Sequence, residues 1–226
     1  KTVQTNTVYL RMAVSITTQP ATTYTKNGAT AKATVKAVGD GLTYTWYFKN
    51  AGATGFSKSS ITTATYSMTM DSTKKDRQVY CVVKDKYGKT VQTNTVYLRM
   101  AASITTQPKS VTAVEGKKAT VTLKAAGDGL TYTWYYKNKS GSSFIKTDSF
   151  TSNSYSVKMN STRDGRQVYC VVTDQYGNSV TTDVATISLP PVELKILEQP
   201  TDVYASKGEK FSISPKVQGD GLTYQW

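Results

Sequence analysis

The 226-residue sequence predicts an all-β chain of tandem sandwich domains, on three observations. Apolar and polar residues alternate with a period of two along short runs rich in Thr, Val and Tyr, types that suit a pleated, half-buried surface. Turn signals separate these runs, and nothing follows the ~3.6-residue period of a helix. The chain also repeats itself at intervals of about 90 residues. Short strands with frequent turns favour two packed sheets over a sheet covered by helices.

The repeat defines the organisation. KTVQTNTVYLRMAVSITTQP at 1–20 returns at 89–108 with one difference, Val14 against Ala102. GDGLTYTW occurs at 39–46 and 127–134, GDGLTYQW at 219–226, and VYCVV at 79–83 and 168–172. Pro20, Pro108 and Pro200 each precede a tryptophan by 26 residues. The phase predicts four parts: 1–12, the last strand of a preceding repeat; 13–100 and 101–189, two complete domains; and 190–226, the start of a further, truncated repeat. Each full repeat is long enough to close one core. The excerpt of a longer array is the expectation. It carries no stretch that reads as a signal peptide and no apolar run near the ~20 residues of a membrane span.

Within the second repeat the alternation is explicit. Val121, Leu123 and Ala125 point one way, and Thr120, Thr122 and Lys124 the other. Leu130, Tyr132 and Trp134 alternate with Thr131 and Thr133. Tyr155, Val157 and Met159 form a third inward set, and Val168, Cys170 and Val172 a fourth. The turns fall at Gly127-Asp128-Gly129, Asn138-Lys139-Ser140-Gly141 and Gln175-Tyr176-Gly177-Asn178.

Composition bounds the chemistry. There is no histidine, which removes Ser-His-Asp triads, histidine-paired cysteine nucleophiles and histidine metal sites. No CxxC pair, phosphate-binding glycine loop or calcium-loop spacing occurs, and the acids fall mostly in turns, with no acidic cluster expected at the repeat junctions. The expectation is a protein that is not an enzyme and needs no cofactor or metal. The formal net charge of +13 favours polyanions, but no nucleic-acid reader motif accompanies it.

A strand bearing Trp-Tyr-Phe/Tyr-Lys is followed 35 or 36 residues later by Cys on a Val-rich strand. GDGLTYTWYYKN and VYCVVTDQYGN resemble the bacterial immunoglobulin-like repeats found in tandem on Gram-positive surface proteins. The resemblance covers both full repeats and the two partial ones. It implies tandem immunoglobulin-like β-sandwich domains, with Trp46, Cys81, Trp134 and Cys170 in the cores. Two departures stand out. The partner cysteine expected on the strand before the tryptophan is missing, its place falling on Ala37, Ala125 and Val217, so Cys81 and Cys170 are expected to be buried free thiols. Val79 and Val168 occupy the tyrosine-corner position, so Tyr80 and Tyr169 should face outward. An internal isopeptide bond, which some such sandwiches carry, would need a buried lysine, whereas Lys36, Lys124 and Lys216 fall on the outward face.

The resemblance also implies an extracellular, cell-surface or cell-wall setting and an adhesion role. The candidate binding residues are Tyr47, Tyr80, Tyr135 and Tyr169 on the outward face of the tryptophan-bearing and cysteine-bearing strands, with Phe56 and Phe144 nearby. The alternative is that these tyrosines form stabilising cross-strand pairs. Candidate partners are host glycan, mucin or protein, including immunoglobulin, and an anionic cell-wall polymer. No nucleic acid and no membrane insertion are expected. Three roles remain at this point: a stiff stalk, a binding module, and an accessory array of a secreted carbohydrate-active enzyme.

Overall fold

The computed structural model describes residues 1–226. The first sandwich contains β1 (Ser15–Thr18), β2 (Thr23–Thr25), β3 (Thr30–Thr34), β4 (Lys36–Val38), β5 (Thr43–Lys49), β6 (Ser57–Lys58), β7 (Thr65–Thr69), β8 (Arg77–Lys84), β9 (Thr90–Gln92) and β10 (Val96–Met100). One sheet runs β2-β10-β8-β5-β6, with β9 also on β8. The facing layer pairs β1 with β4 and β3 with β7. β3 and β4 are one path interrupted at Val35, whose N–H turns to the Ala64 carbonyl at 3.0 Å.

The second sandwich repeats this order with β11 (Ser103–Thr106), β12 (Val111–Thr112), β13 (Lys118–Thr122), β14 (Lys124–Ala126), β15 (Thr131–Lys137), β16 (Ile145–Thr147), β17 (Ser154–Lys158), β18 (Arg166–Thr173), β19 (Ser179–Thr181) and β20 (Ala185–Ser188). A single 3-10 turn, Ser161–Arg163, is the only helical element. Beyond it, β21 (Lys195–Glu198) pairs with β22 (Lys216–Gln218) as β1 does with β4. No second sheet covers that pair, and Trp226 is 80% exposed where Trp46 and Trp134 are fully buried. Residues 1–14 hold no strand and are almost wholly exposed.

The period-2 pattern builds the cores. On β8, Arg77, Val79, Cys81 and Val83 point inward and are buried, while Gln78, Tyr80 and Val82 are half-buried on the outer face. Ala31, Ala33, Trp46, Tyr66, Met70, Leu98 and Met100 close the first core, and the corresponding strands close a separate second one. Each indole is pinned as well as packed: Trp46 Nε1 donates to the Thr63 carbonyl and Trp134 Nε1 to that of Ser152, both at 2.9 Å. Truncating either tryptophan would cost about 3–5 kcal/mol.

The Thr-Thr-Gln-Pro motif has a local reason. Pro20 and Pro108 are buried and lack an N–H, so pairing along the first strand of each repeat stops there. The chain crosses to the other sheet, where β2 and β12 pair parallel to β10 and β20. The preceding glutamine clips the arrangement: Gln19 Oε1 accepts the Asn94 N–H at 2.9 Å, and Gln107 Oε1 that of Asp183 at 3.0 Å.

Candidate functional site

The outward face of β5, β6 and β8 carries the candidate tyrosines. Register sets Tyr47 directly opposite Tyr80 and Tyr135 opposite Tyr169. Both pairs are stacked, with ring centroids at 5.0 and 4.9 Å and planes within 11° and 7°. Phe56 and Phe144 come from the loop entering β6 and β16 and meet Tyr80 and Tyr169 edge-on, at 4.9 and 4.8 Å. Each repeat thus presents the same three-ring cluster. Such pairs add roughly 0.5–1.5 kcal/mol each beyond their buried area. Each tyrosine gives one ring face to its partner, and Tyr80 and Tyr169 meet a phenylalanine as well. Lys49 and Lys137 lie 5.3 and 5.2 Å from the phenylalanine centroids, within cation–π range.

Cys81 and Cys170 sit on the opposite, core side of the same strands, both buried and unbridged. Burial pushes the thiols up to about 11 and about 12, partly offset by backbone hydrogen bonds near Thr45 and Thr133. A thiol held protonated is a poor nucleophile. Ala37 and Ala125 are half-buried on β4 and β14, beside the fully buried Val35 and Leu123. Lys36 and Lys124 are exposed, and Lys216 is ion-paired with Glu198 at 2.9 Å.

Two groups of polar residues were not legible as special. The first is a buried arginine at the start of β8 and β18. Arg77 donates from Nε to Asn50 Oδ1 at 2.7 Å and from Nη1 to Tyr66 Oη at 2.9 Å, and its guanidinium lies 4.5 Å from the Phe48 centroid. Arg166 does the same with Asn138, Tyr155 and Tyr136. The signal was present: an Arg shared by both repeats on the inward phase of the alternation.

The second is a pair of turn acids at the junction between the sandwiches. Asp128 and Asp174 are 2% and 4% exposed and grip the link between the sandwiches. Met100 N–H donates to Asp128 Oδ2 at 3.2 Å, and Ala102 N–H to Asp174 Oδ2 at 3.0 Å. Tyr176 Oη donates to the same Asp128 oxygen at 3.2 Å. From the first repeat, the Arg99 guanidinium covers the Tyr176 ring at 4.3 Å and Lys75 Nζ stands 3.8 Å from Asp128 Oδ1. Arg99 is itself held by Asp76, Nε to Oδ1 at 3.1 Å. Gly127 lets the strands close: a Cβ there would sit 3.0 Å from the Ala102 Cα.

Electrostatics at this clasp follow from burial. Burial raises the Asp174 carboxyl, but donors from the Asn178 side chain and the Ala102, Asn178 and Tyr176 N–H groups outweigh it and hold the acid below its usual range. The Tyr176 hydroxyl is pushed up to about 12, by burial first and then by Asp128 and Asp76. Part of the clasp recurs where residues 1–12 meet the first sandwich: Arg11 covers Tyr87 at 4.2 Å and Tyr87 Oη donates to Asp40 at 3.2 Å. After the second sandwich it changes. Ser188 stands in the place of Arg99, Pro190-Pro191 follow, and Asp220 accepts the Val192 N–H at 2.9 Å.

No family model and no curated protein sequence matches the chain. Solved structures do. The N-terminal four immunoglobulin domains of Dscam1 isoform 7.44 superpose with a TM-score of 0.50 at 15% identity, over 82% of this chain and 48% of that one. The same fragment of isoform 4.44 gives 0.49 at 15% identity, over 81% and 47%. Domains 1–5 of Sidekick-1 give 0.42 at 15%, over 93% and 46%. The chain spans about half the length of these fragments. At this identity the likeness is one of fold: the repeats are immunoglobulin-like β-sandwiches in tandem.

Proposed function

We propose that this chain is a non-catalytic segment of a surface-displayed or secreted bacterial adhesion protein, in which the repeats form a stiff stalk and present one recurring face. The observation that carries the reading is the junction, where two backbone N–H groups of the link are held by buried carboxylates of the next repeat. A flexible linker would leave those groups to water. Each sandwich should add roughly 40 Å to a rod, from its longest strands of eight residues at ~3.3 Å each plus end loops.

The face with Tyr47, Tyr80, Tyr135 and Tyr169 is the place where host glycan, mucin or a protein such as immunoglobulin would dock. Identical clusters on successive repeats favour avidity for a repetitive partner. The full chain would be tested on immobilised mucin, mixed glycans and serum immunoglobulin, at low and physiological salt, beside its Tyr47→Ala/Tyr135→Ala variant. Binding that survives salt and falls in the variant supports the face. Scattering from the same samples reads the stalk: Asp128→Ala/Asp174→Ala should broaden the distance distribution, and an unchanged one would argue against a junction-built rod.

A further inference from the structure

The positive charge is unevenly distributed. Residues 13–100 hold twelve Lys and Arg against four Asp, and residues 101–189 hold ten against six acids. The difference is sharpest on the outer face of the first repeat. Lys49 on β5, Lys58 on β6 and Lys84 on β8 share it with the Tyr47, Tyr80 and Phe56 cluster. None of these lysines is in a salt bridge, and β5, β6, β8, β9 and β10 contain no Asp or Glu. In the second repeat the same face is blunted: Lys146 is paired with Asp148 at 2.9 Å, and Thr173 replaces Lys84.

The layout points to a polymer. Lys84 lies opposite Thr43, six residues along β5 from Lys49, so the cations spread over roughly 20 Å at ~3.3 Å per residue. That is too wide for one small anion and suits a chain bearing charge at intervals. Because Tyr47 and Tyr80 each give one face to the other and Tyr80 also meets Phe56, less ring face is left for stacking a neutral sugar. Ring edges, hydroxyl donors and unpaired ammonium groups instead serve sugar rings that carry acidic substituents. Flexible phosphate polyols offer charge without a ring for this aromatic surface.

Resting on the adhesion reading, we propose that the outer β5-β6-β8 face of the first repeat binds a linear sulfated polysaccharide through Lys49, Lys58 and Lys84, with Tyr47, Tyr80 and Phe56 as its apolar and hydroxyl bed. The second repeat's face contributes little.

The test uses the full chain on immobilised heparin across a salt series. Lys49→Gln/Lys58→Gln/Lys84→Gln should weaken binding by about tenfold or more and flatten the salt dependence, as fewer counterions are released. Lys26→Gln/Lys32→Gln/Lys36→Gln removes the same charge away from this face, with Lys32 and Lys36 on the opposite layer, and should weaken it less than about threefold. Lys137→Gln/Lys146→Gln should behave like that control. Tyr47→Ala should weaken binding at every salt concentration without changing the slope, and urea midpoints confirm that each variant is folded. Equal loss in the two lysine triples means whole-chain attraction and overturns the proposal, as does tighter binding to teichoic acid than to heparin. Tyr47-dependent binding to neutral glycans without heparin binding overturns it too, yet leaves the adhesion face standing. Binding to neither removes both.

Discussion

Removing the carboxylate of Asp174 separates what a turn acid does for its own repeat from what it does for the junction. Asp174 accepts four hydrogen bonds: from Tyr176 N–H, Asn178 N–H and Asn178 Nδ2 at 2.9 Å, and from Ala102 N–H at 3.0 Å. Its counterpart Asp85 accepts only the two turn bonds, from Tyr87 and Lys89 N–H at 2.9 Å. Hydrogen bonds to a charged acceptor contribute about 1.5–3 kcal/mol each, less where water can replace the carboxylate. Asp85→Ala should therefore cost its repeat about 1–3 kcal/mol, and Asp174→Ala about 2–4 kcal/mol. Asn178→Lys gives the second repeat the residue of the first, so Asp174→Ala in that background leaves only the Ala102 bond as the difference. Hydrogen exchange resolved by peptide reads each repeat separately, and the Ala102 amide should lose protection. The pH dependence has a fixed sign. The Asp174 acid is lowered in the fold, so its contribution is complete above the ordinary carboxylate range, about 3.9, and is lost as pH falls through the folded value below it. Equal costs in the two repeats, within about 0.5 kcal/mol, would refute the junction argument.

Other perturbations test the remaining parts. Arg166→Met strands Asn138 Oδ1 and Tyr155 Oη and should cost about 2–4 kcal/mol in urea unfolding, with a cost under about 1 kcal/mol contradicting the network. Gly127→Ala puts a Cβ 2.6 Å from Leu130 Cδ2 and against the Ala102 backbone at φ +156, so it should destabilise the second repeat and loosen the junction together. Cys81 and Cys170 should resist alkylation at pH 8 until urea unfolds the chain, and fast labelling of native protein would contradict their burial. Because both thiols are raised in the fold, their contribution holds below the unfolded thiol range and fades as pH rises towards about 11. Thermal midpoints between pH 8 and 11 measure that decline.

Alternation made strand faces readable. Once Trp46 and Cys81 point inward, Tyr47 and Tyr80 must point outward, and a two-residue period admits no other arrangement. That the two rings stack depends on register, which places residues 47 and 80 opposite each other, and the second repeat keeps that register for 135 and 169 with one more residue between the strands, so the spacing alone does not announce it. The clasp was hidden for a different reason. Asp128 lies between two glycines in a turn, where an acid ordinarily meets water, and its partners are 28 and 48 residues away. Met100 and Lys75 of the preceding repeat reach it along with Tyr176 of its own. Asp76 shows the same logic. It is the one non-glycine residue at positive φ, 51°, in a position the second repeat gives to Gly165. Its carboxylate holds Arg99, a partner that no local pattern announces.

The parallel pairing of the second strand with the last has a mechanical consequence. Tension along the array enters a sandwich near its first strands and leaves through its last. β2 and β10 are then pulled in opposite directions along their length, so their hydrogen bonds are loaded together in shear rather than unzipped one at a time. The first sandwich has three residue pairs in that patch, Leu98 with Thr23, Arg99 with Tyr24 and Met100 with Thr25. The second has two, Val111 with Ile187 and Thr112 with Ser188. Under a common load the second sandwich should yield first, extending the chain while its neighbour holds.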